Sequence, residues 1–146
     1  MNLNELTQRL IDIESVTGDE QELINFIESY LLDSGYKGNI FKDEGGIIVN
    51  SPDSNPKIAL VGHLDTVPIH ESQKNYSDEE NIFGRGAVDK KAGVAVMIKT
   101  MLDERENVVG VFYTGEEGTP EQNGLNNLMG KLKNCLLYTS DAADER

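Results

Sequence analysis

Cysteine and histidine are scarce in this 146-residue chain, which contains one cysteine and two histidines. A single cysteine cannot form a disulfide within the chain, and this fits a reducing compartment. No run of 18 apolar residues is present, and the first residues, MNLNELTQRL, lack the basic and apolar regions of a secretory signal. We therefore expect a cytoplasmic protein without a membrane-spanning segment.

Basic residues are also few, because 13 lysines and arginines stand against 26 acids and give a formal net charge of −13. An acidic excess of this size disfavours nucleic acids and anionic membrane surfaces as partners. It suits a cytosolic protein or one that binds cations. The 38% hydrophobic content and the periodic apolar segments exclude a wholly disordered chain, and the length corresponds to one domain.

Apolar residues recur at helical spacing in four segments and form two short continuous runs. The helical spacing predicts amphipathic helices over residues 3–13, 23–31, 94–102 and 125–132. The continuous runs, at residues 58–61 and 108–113, are typical of strands that are buried on both faces. Strands that alternate with helices predict an α/β fold with a largely parallel sheet flanked by helices.

Turn signals complete the predicted architecture. The segment DEGG separates two apolar stretches within residues 40–49 and predicts a hairpin, and the polar residues 75–85 predict a second hairpin or a loop. The segment TGDE, from Thr17 to Glu20, has the spacing of a helix capping box, and Gly35 is well placed to end the second helix.

Candidate functional residues follow the predicted strands. His63 and Asp65 follow the first buried strand in VGHLDTVP, and Glu116 and Glu117 follow the second in YTGEEG. Asp89 precedes the third helix in GRGAVDKKAG. Ligands of parallel α/β sheets bind outside the carboxyl ends of the strands. We therefore expect three loops to present one imidazole and four carboxylates to a shared pocket.

Each of these motifs also has an ordinary structural explanation. A histidine after a strand is more often a loop residue than a metal ligand, paired glutamates are usually surface charge, and an aspartate near a helix start commonly caps it. Their shared position at equivalent ends of the predicted elements, each with a glycine close by, favours one site. Clustered carboxylates repel one another unless a cation neutralises them, so the set favours a bound metal. Mixed nitrogen and oxygen ligands suit Zn²⁺, with Co²⁺ or Mn²⁺ as alternatives.

The motifs GHLDTVP, GRGAVDKKAG and VFYTGEEG, in this order and spacing, resemble the dizinc amidohydrolase and peptidase superfamily of aminoacylase, acetylornithine deacetylase, carboxypeptidase G and succinyl-diaminopimelate desuccinylase. The resemblance covers residues 1–134 and implies the N-terminal part of a zinc-peptidase-like catalytic domain. It also implies two Zn²⁺ ions, a small N-acyl amino acid as substrate and a homodimeric full-length parent. The segment VFYTGEEGTPEQNGLNNL most resembles succinyl-diaminopimelate desuccinylases of the actinobacterial type, which release succinate and diaminopimelate for lysine biosynthesis.

The resemblance also implies a role for each candidate residue. His63 would ligate one zinc ion, Glu117 would ligate the other, and Asp89 would bridge the two. Glu116 would be the general acid and base. Asp65 would fix the tautomer of His63, since residues i and i+2 of an extended strand point the same way. Two further conspicuous side chains receive structural interpretations: Arg85 would organise its loop, and His70 would be an exposed loop residue.

The end of the sequence differs from the rest. Residues 135–146, CLLYTSDAADER, resemble the conceptual translation of a transposase sequencing adapter, and we interpret them as a non-native tail. The chain up to residue 134 lacks the further acidic ligand, the lid and dimerisation domain and the C-terminal histidine ligand of full-length members. The sequence therefore predicts an inactive fragment with weak or no metal binding.

Three alternatives stay open at this stage. The chain could come from another amidohydrolase of the same superfamily, such as an acetylornithine deacetylase, an aminoacylase or a dipeptidase. It could be a non-catalytic domain whose acids only form a solvated surface. It could also be a short regulatory fragment.

Overall fold

The structure, a computed structural model, describes residues 1–50, 58–103 and 107–132 and the backbone of residues 136–138. Its helices are α1 (Leu3–Asp12), α2 (Gln21–Asp33), α3 (Ala92–Leu102) and α4 (Leu125–Leu128). Its strands are β1 (Asn39–Asp43), β2 (Gly46–Asn50), β3 (Ile58–His63), β4 (Tyr76–Ser77), β5 (Ile82–Phe83), β6 (Val108–Tyr113) and β7 (Leu136–Tyr138). A kinked turn, Ala87–Lys91, in which Asp89 and Lys90 have non-helical backbone angles, leads into α3.

Five strands form the central sheet in the order β1-β2-β6-β3-β7. The two predicted buried strands, β3 and β6, pair in parallel, and β7 pairs in parallel with β3. The predicted hairpin β1–β2 adds to β6 in antiparallel orientation, so that the sheet is mixed. The α/β class and the sheet flanked by helices are confirmed.

Helices cover both faces of this sheet. On one face, α1, α2 and α3 pack over sheet residues Ile47, Val49 and Phe112 in one apolar cluster. On the other face, α4 packs over a smaller cluster; its sheet members include Ile48 and Val111, and Leu128 covers them. The alternation of Ile47, Ile48 and Val49 between the two clusters follows the period of two of a β-strand.

The helix ends show which local signals the fold uses. Gly35 has a φ of +84° and ends α2, as predicted, because a left-handed conformation has no steric cost without a Cβ atom. The predicted capping box at Thr17 and Glu20 is wrong. Glu20 is the N-cap residue of α2, but no side chain in the described ranges caps this helix. Both side chains form hydrogen bonds to distant residues instead.

Two further predictions concern the edges of the fold. The predicted hairpin within residues 75–85 is confirmed as β4–β5, where the rings of Tyr76 and Phe83 stack with centroids 4.4 Å apart. The predicted fourth helix is shorter than its periodic segment, because α4 gives way to a 3-10 turn at Met129–Lys131. The interpreted tail, residues 135–146, lies outside the described residues except for the backbone of β7.

The longest of the described helices, α2, has 13 residues. None of the helices in these ranges combines the length and the apolar character that crossing a bilayer requires.

Candidate metal centre

His63 is the last residue of β3 and lies opposite Tyr113, the last residue of β6. The chain leaves both strands at the same edge of the sheet, so the loops that follow start side by side. Both His63 and Asp65 are buried, with exposures of 2% and 1%. This burial distinguishes His63 from an ordinary loop histidine.

The ring of His63 is held between two acids. Its Nδ1 lies 2.9 Å from the backbone carbonyl oxygen of Asp65 and 3.5 Å from the Oδ1 of the same residue. Since both oxygens can only accept, Nδ1 carries a proton and donates to the carbonyl. The other nitrogen, Nε2, lies 2.9 Å from Oδ1 of Asp89. The expected tautomer is thus set chiefly by the main-chain oxygen of Asp65.

Three of the predicted residues converge at this edge. One potential ligand atom from each of His63, Asp89 and Glu117 lies within 4.8 Å of the other two. His63 is buried at the base, whereas the two acids are exposed at the rim. Asp89 and Glu117 also line a cavity of about 390 Å³, together with the apolar side chains of Val67 and Val88.

The loop that carries Asp89 is anchored from below. Asp89 lies within the kinked turn before α3, and its peptide bond to Lys90 is cis. The buried Lys91 donates from Nζ to the carbonyl oxygen of Ile13 at 2.5 Å, which ties the turn to the end of α1. Burial lowers the pKa of Lys91 to about 8, although nearby acids act against this shift.

Asp65 connects the two strand ends beneath the site. Its Oδ1 accepts the amide N–H of Glu116 at 2.9 Å, and its Oδ2 accepts the amide N–H of Glu117 at 3.0 Å. Oδ2 also accepts the hydroxyl of Thr17 at 2.7 Å. Burial alone would raise the pKa of Asp65, but the nearby His63 ring and these hydrogen bonds outweigh it and lower the pKa to about 2. Asp65 is therefore an ionised buried acceptor.

The charges around the three converging side chains are unbalanced. Burial opposes the charge on His63, but its interactions with Asp65 and Asp89 raise its pKa to about 9. The pKa of Glu117 is raised by partial burial and then by the negative charges of Glu116 and Asp89. Carboxylates held this close favour a bound cation, which would take the place of the proton on Nε2 of His63.

The donor set fits a divalent metal. It offers one imidazole nitrogen and carboxylate oxygens, which are ligands of Zn²⁺, and Nε2 points toward the acids because Nδ1 is engaged elsewhere. His63, Asp89 and Glu117 could hold an ion between them. The carboxylate of Glu116 is exposed beside this set, while its amide is fixed by Asp65.

Sequence reasoning missed two residues beneath the site, Thr17 and Glu20. Their side chains bond to residues 48 and 95 positions away, Asp65 and Gly115. Their spacing resembles a capping box, so the sequence predicts local hydrogen bonds for two side chains that in fact bond to distant residues. The remaining conspicuous residues differ: His70 is exposed, and Arg85 lines the cavity, its buried Nε having no hydrogen-bond partner among the described residues.

A family model supplies the decisive comparison. The model for peptidase family M20/M25/M40 matches residues 59–144, which is more than half of the chain and includes His63, Asp89 and Glu117. This chain belongs to peptidase family M20/M25/M40. Peptidases are hydrolases, so the three converging side chains belong to a member of a hydrolase family.

Curated relatives of this M20 chain are longer than the chain itself. It is 29% identical over 131 residues to the succinyl-diaminopimelate desuccinylase of Corynebacterium glutamicum, an alignment that covers 84% of the chain and 36% of that protein. It is 34% identical over 111 residues to a Pyrococcus abyssi protein assigned as a LysW-lysine/LysW-ornithine hydrolase, covering 76% of the chain and 32% of that protein. The M20 chain thus spans about a third of the length of these relatives.

Solved structures share the fold of the M20 chain. A tripeptidase from Staphylococcus aureus superposes with a TM-score of 0.70 at 24% identity, covering 94% of the chain and 42% of that protein. A dinuclear metal binding peptidase of the M20 family from Bacillus subtilis superposes with a TM-score of 0.65 at 19% identity, covering 94% and 41%. These likenesses establish the fold.

Proposed function

We propose that this chain provides metal-binding loops of a metal-dependent amide hydrolase. The observation that carries the proposal is the convergence of His63, Asp89 and Glu117 within 4.8 Å at the end of parallel strands. Membership of the M20/M25/M40 family and the dinuclear metal site of the Bacillus subtilis peptidase support it. The activity is proposed for a protein of the relatives' length.

The resemblance to dizinc hydrolases suggests how the three converging residues would share two ions. His63 would hold one ion through Nε2, Glu117 would hold a second, and the carboxylate of Asp89 would lie between them. We propose two Zn²⁺ ions, with Co²⁺ or Mn²⁺ as alternatives. Such ions, when bound, polarise a carbonyl oxygen and lower the pKa of a water molecule.

Glu116 is proposed as the general acid and base. Glu116 is exposed beside Glu117, and it is not one of the three residues whose ligand atoms converge. It would accept a proton from water as the oxygen attacks the amide carbon and the C–O bond forms. The same proton would pass to the leaving nitrogen as the C–N bond breaks. The products are a carboxylic acid and an amine, so that atoms balance with one water consumed.

Asp65 is proposed to act through other residues. Its carbonyl oxygen holds Nδ1–H of His63, and its carboxylate holds the amides of Glu116 and Glu117. It therefore orients a ligand and the acid–base residue at the same time. Partners of metal ligands typically contribute about 10-fold to 100-fold in metal affinity or activity.

The substrate class is an N-acyl amino acid, and within it we propose N-succinyl-diaminopimelate. The likeness to the Corynebacterium glutamicum desuccinylase over 84% of the chain supports this choice. The Pyrococcus abyssi relative favours a second candidate, an amide of lysine or ornithine. Amine release from each compound, measured with a protein of the relatives' length, separates the two.

Oligomeric state, cellular location and the origin of the last twelve residues are also proposals. We propose a homodimer for the longer protein, which sedimentation would test, and a cytoplasmic location. We also propose that residues 135–146 are not native. Sequencing the genomic DNA beyond codon 134 tests the last proposal, since a different continuation is expected there.

Paired variants test the division of roles between the two glutamates. In a Zn²⁺ titration of the chain, the shifts of the amide NMR signals report the metal affinity even when binding is weak. We expect Glu117→Gln to weaken Zn²⁺ binding at least tenfold and Glu116→Gln to change it by less than about twofold. In the longer protein, Glu116→Gln should abolish turnover while zinc stays bound. Loss of zinc in Glu116→Gln would show that the roles are exchanged.

A further inference from the structure

Glu20 is a buried acid that the proposed reaction does not use. Its exposed fraction is 6%, and it lies in the connection between α1 and α2. Its Oε2 accepts the amide N–H of Gly18 at 3.1 Å, and its Oε1 accepts the amide N–H of Gly115 at 3.2 Å. The second bond joins the start of α2 to the loop that carries Glu116 and Glu117.

The burial of Glu20 has a cost that a capping role does not explain. Removing a carboxylate from water is unfavourable even after relaxation, and hydrogen bonds from amides offset part of that cost. A helix cap is normally exposed and bonds to the first turn of its own helix. Glu20 instead directs one oxygen across the fold, 95 residues along the chain.

Glu20 completes a row of three restrained amides. The N–H groups of Gly115, Glu116 and Glu117 donate in turn to Oε1 of Glu20, Oδ1 of Asp65 and Oδ2 of Asp65. Three consecutive amides bound to two buried carboxylates cannot shift independently. The direction in which the Glu117 side chain leaves the backbone is therefore set by both acids.

Gly115 makes this restraint tight. Its φ is +73°, and a Cβ atom at this position would lie 1.9 Å from the carbonyl oxygen of Gln122. The peptide thus lies between Gln122 on one side and Glu20 on the other. Loss of the Glu20 bond would free the Gly115 peptide at the point where the loop turns toward the site.

We propose that Glu20 is a positioning residue, which fixes the Gly115 peptide and so places the carboxylate of Glu117 against His63 and Asp89. This inference rests on the proposed function, because Glu117 must be a ligand for its placement to matter. Thr17 supports the same loop by a second route, through its hydroxyl bond to Asp65. The connection between α1 and α2 thereby becomes part of the metal centre without touching the ion.

The test compares Glu20→Gln with Glu22→Gln, an exposed acid two residues further along α2. Glutamine keeps the size of the side chain, but its amide group cannot accept a hydrogen bond at both positions. Zn²⁺ titrations followed by amide NMR signals give the affinity, and the same spectra without metal report the Gly115 amide. We expect Glu20→Gln to weaken Zn²⁺ binding at least tenfold and to shift the Gly115 signal, and Glu22→Gln to change neither.

The outcomes separate this inference from the proposed function. Zn²⁺ affinity in Glu20→Gln within about twofold of the unmodified chain would overturn the inference and leave the function intact. Failure of a protein of the relatives' length to bind Zn²⁺ near His63 would overturn the function. An unshifted Gly115 signal in metal-free Glu20→Gln would overturn the inference even then.

A second measurement covers the case in which Glu20→Gln does not fold. In the unmodified, metal-free chain, the amide signals of Gly18 and Gly115 should follow the protonation of one carboxyl group with a shared midpoint, because both amides donate to Glu20. Neighbouring carboxyls lie close enough to add their own transitions, namely those of Asp19, Asp65, Glu116 and Glu117. A Gly115 signal without any transition at the midpoint of the Gly18 signal would overturn the assignment of that bond.

Discussion

The carboxylate of Asp65 accepts the amide N–H of Glu116 at 2.9 Å, a hydrogen bond between residues that are 51 positions apart. This bond joins the loop after β3 to the loop after β6 on the buried side of the candidate metal centre. The same carboxylate holds the amide of Glu117. Two proposed metal ligands, His63 at the end of β3 and Glu117 in the loop after β6, are therefore positioned through one aspartate.

The first prediction concerns Asp65→Asn. The asparagine NH₂ group must face at least one of the donors that the carboxylate now accepts, so an amide N–H becomes unpaired in a buried position. An unsatisfied buried donor costs about 1–3 kcal/mol, and we expect a loss of that size in the free energy of unfolding. Urea denaturation checks it.

Asp19→Asn is the matched control for this change. Asp19 is exposed in the connection between α1 and α2, so the same loss of charge leaves no buried donor unpaired. We expect its stability to stay within about 0.5 kcal/mol of the unmodified chain. Equal losses in the two variants would mean that Asp65 does not hold the loop after β6.

The second prediction concerns the turn at Gly115. Alanine at a left-handed position costs about 1–2 kcal/mol, and overpacking against a fixed neighbour adds about 1–3 kcal/mol. Gly115→Ala should incur both costs, because its Cβ would lie 1.9 Å from the carbonyl oxygen of Gln122. Gly35→Ala should incur only the first, because no atom lies within 4 Å of its Cβ position. Thermal unfolding of both variants measures the difference, and a smaller loss for Gly115→Ala would be inconsistent with the described turn.

The third prediction uses the pH dependence of Glu20. Burial is the main reason that the pKa of Glu20 is raised above 4.5 in the folded chain, whereas an unfolded glutamate keeps the ordinary value. The folded state therefore binds a proton more readily than the unfolded state, and stability is gained as the pH falls through the folded pKa toward 4.5. Glu20→Gln lacks this gain.

Urea denaturation of both chains at about pH 7 and about pH 5 measures this effect. The stability of the unmodified chain relative to Glu20→Gln should rise as the pH falls. A relative stability that falls over the same interval would contradict a raised pKa for Glu20.

The sequence predicted the site where strand topology determined it. His63 and Glu117 follow two apolar runs, and parallel pairing of those runs was enough to bring the following loops together. The register that aligns His63 with Tyr113 confirms that step. Strand topology could not place Asp89, because it precedes α3 and does not follow a strand. Its position in the site was predicted from the resemblance as well.

The rest of the site could not be predicted because its bonds are long-range. Thr17 and Glu20 have the local spacing of a helix cap, and only the folded structure shows their partners in the loops after β3 and β6. Asp65 was expected to face the ring of His63, yet its carboxylate lies nearer the amides of Glu116 and Glu117. Side-chain spacing along one strand gives no information about donors on the next one.

The convergence of His63, Asp89 and Glu117 on a divalent ion is tested most directly by Mn²⁺, which broadens the NMR signals of nearby nuclei. With a small amount of Mn²⁺ added to the chain, the amide signals of Leu64 and Glu117 should broaden first. His63→Ala should remove this broadening, whereas His70→Ala, which changes an exposed histidine, should leave it unchanged. Broadening that is centred elsewhere, or that persists in His63→Ala, would contradict the account.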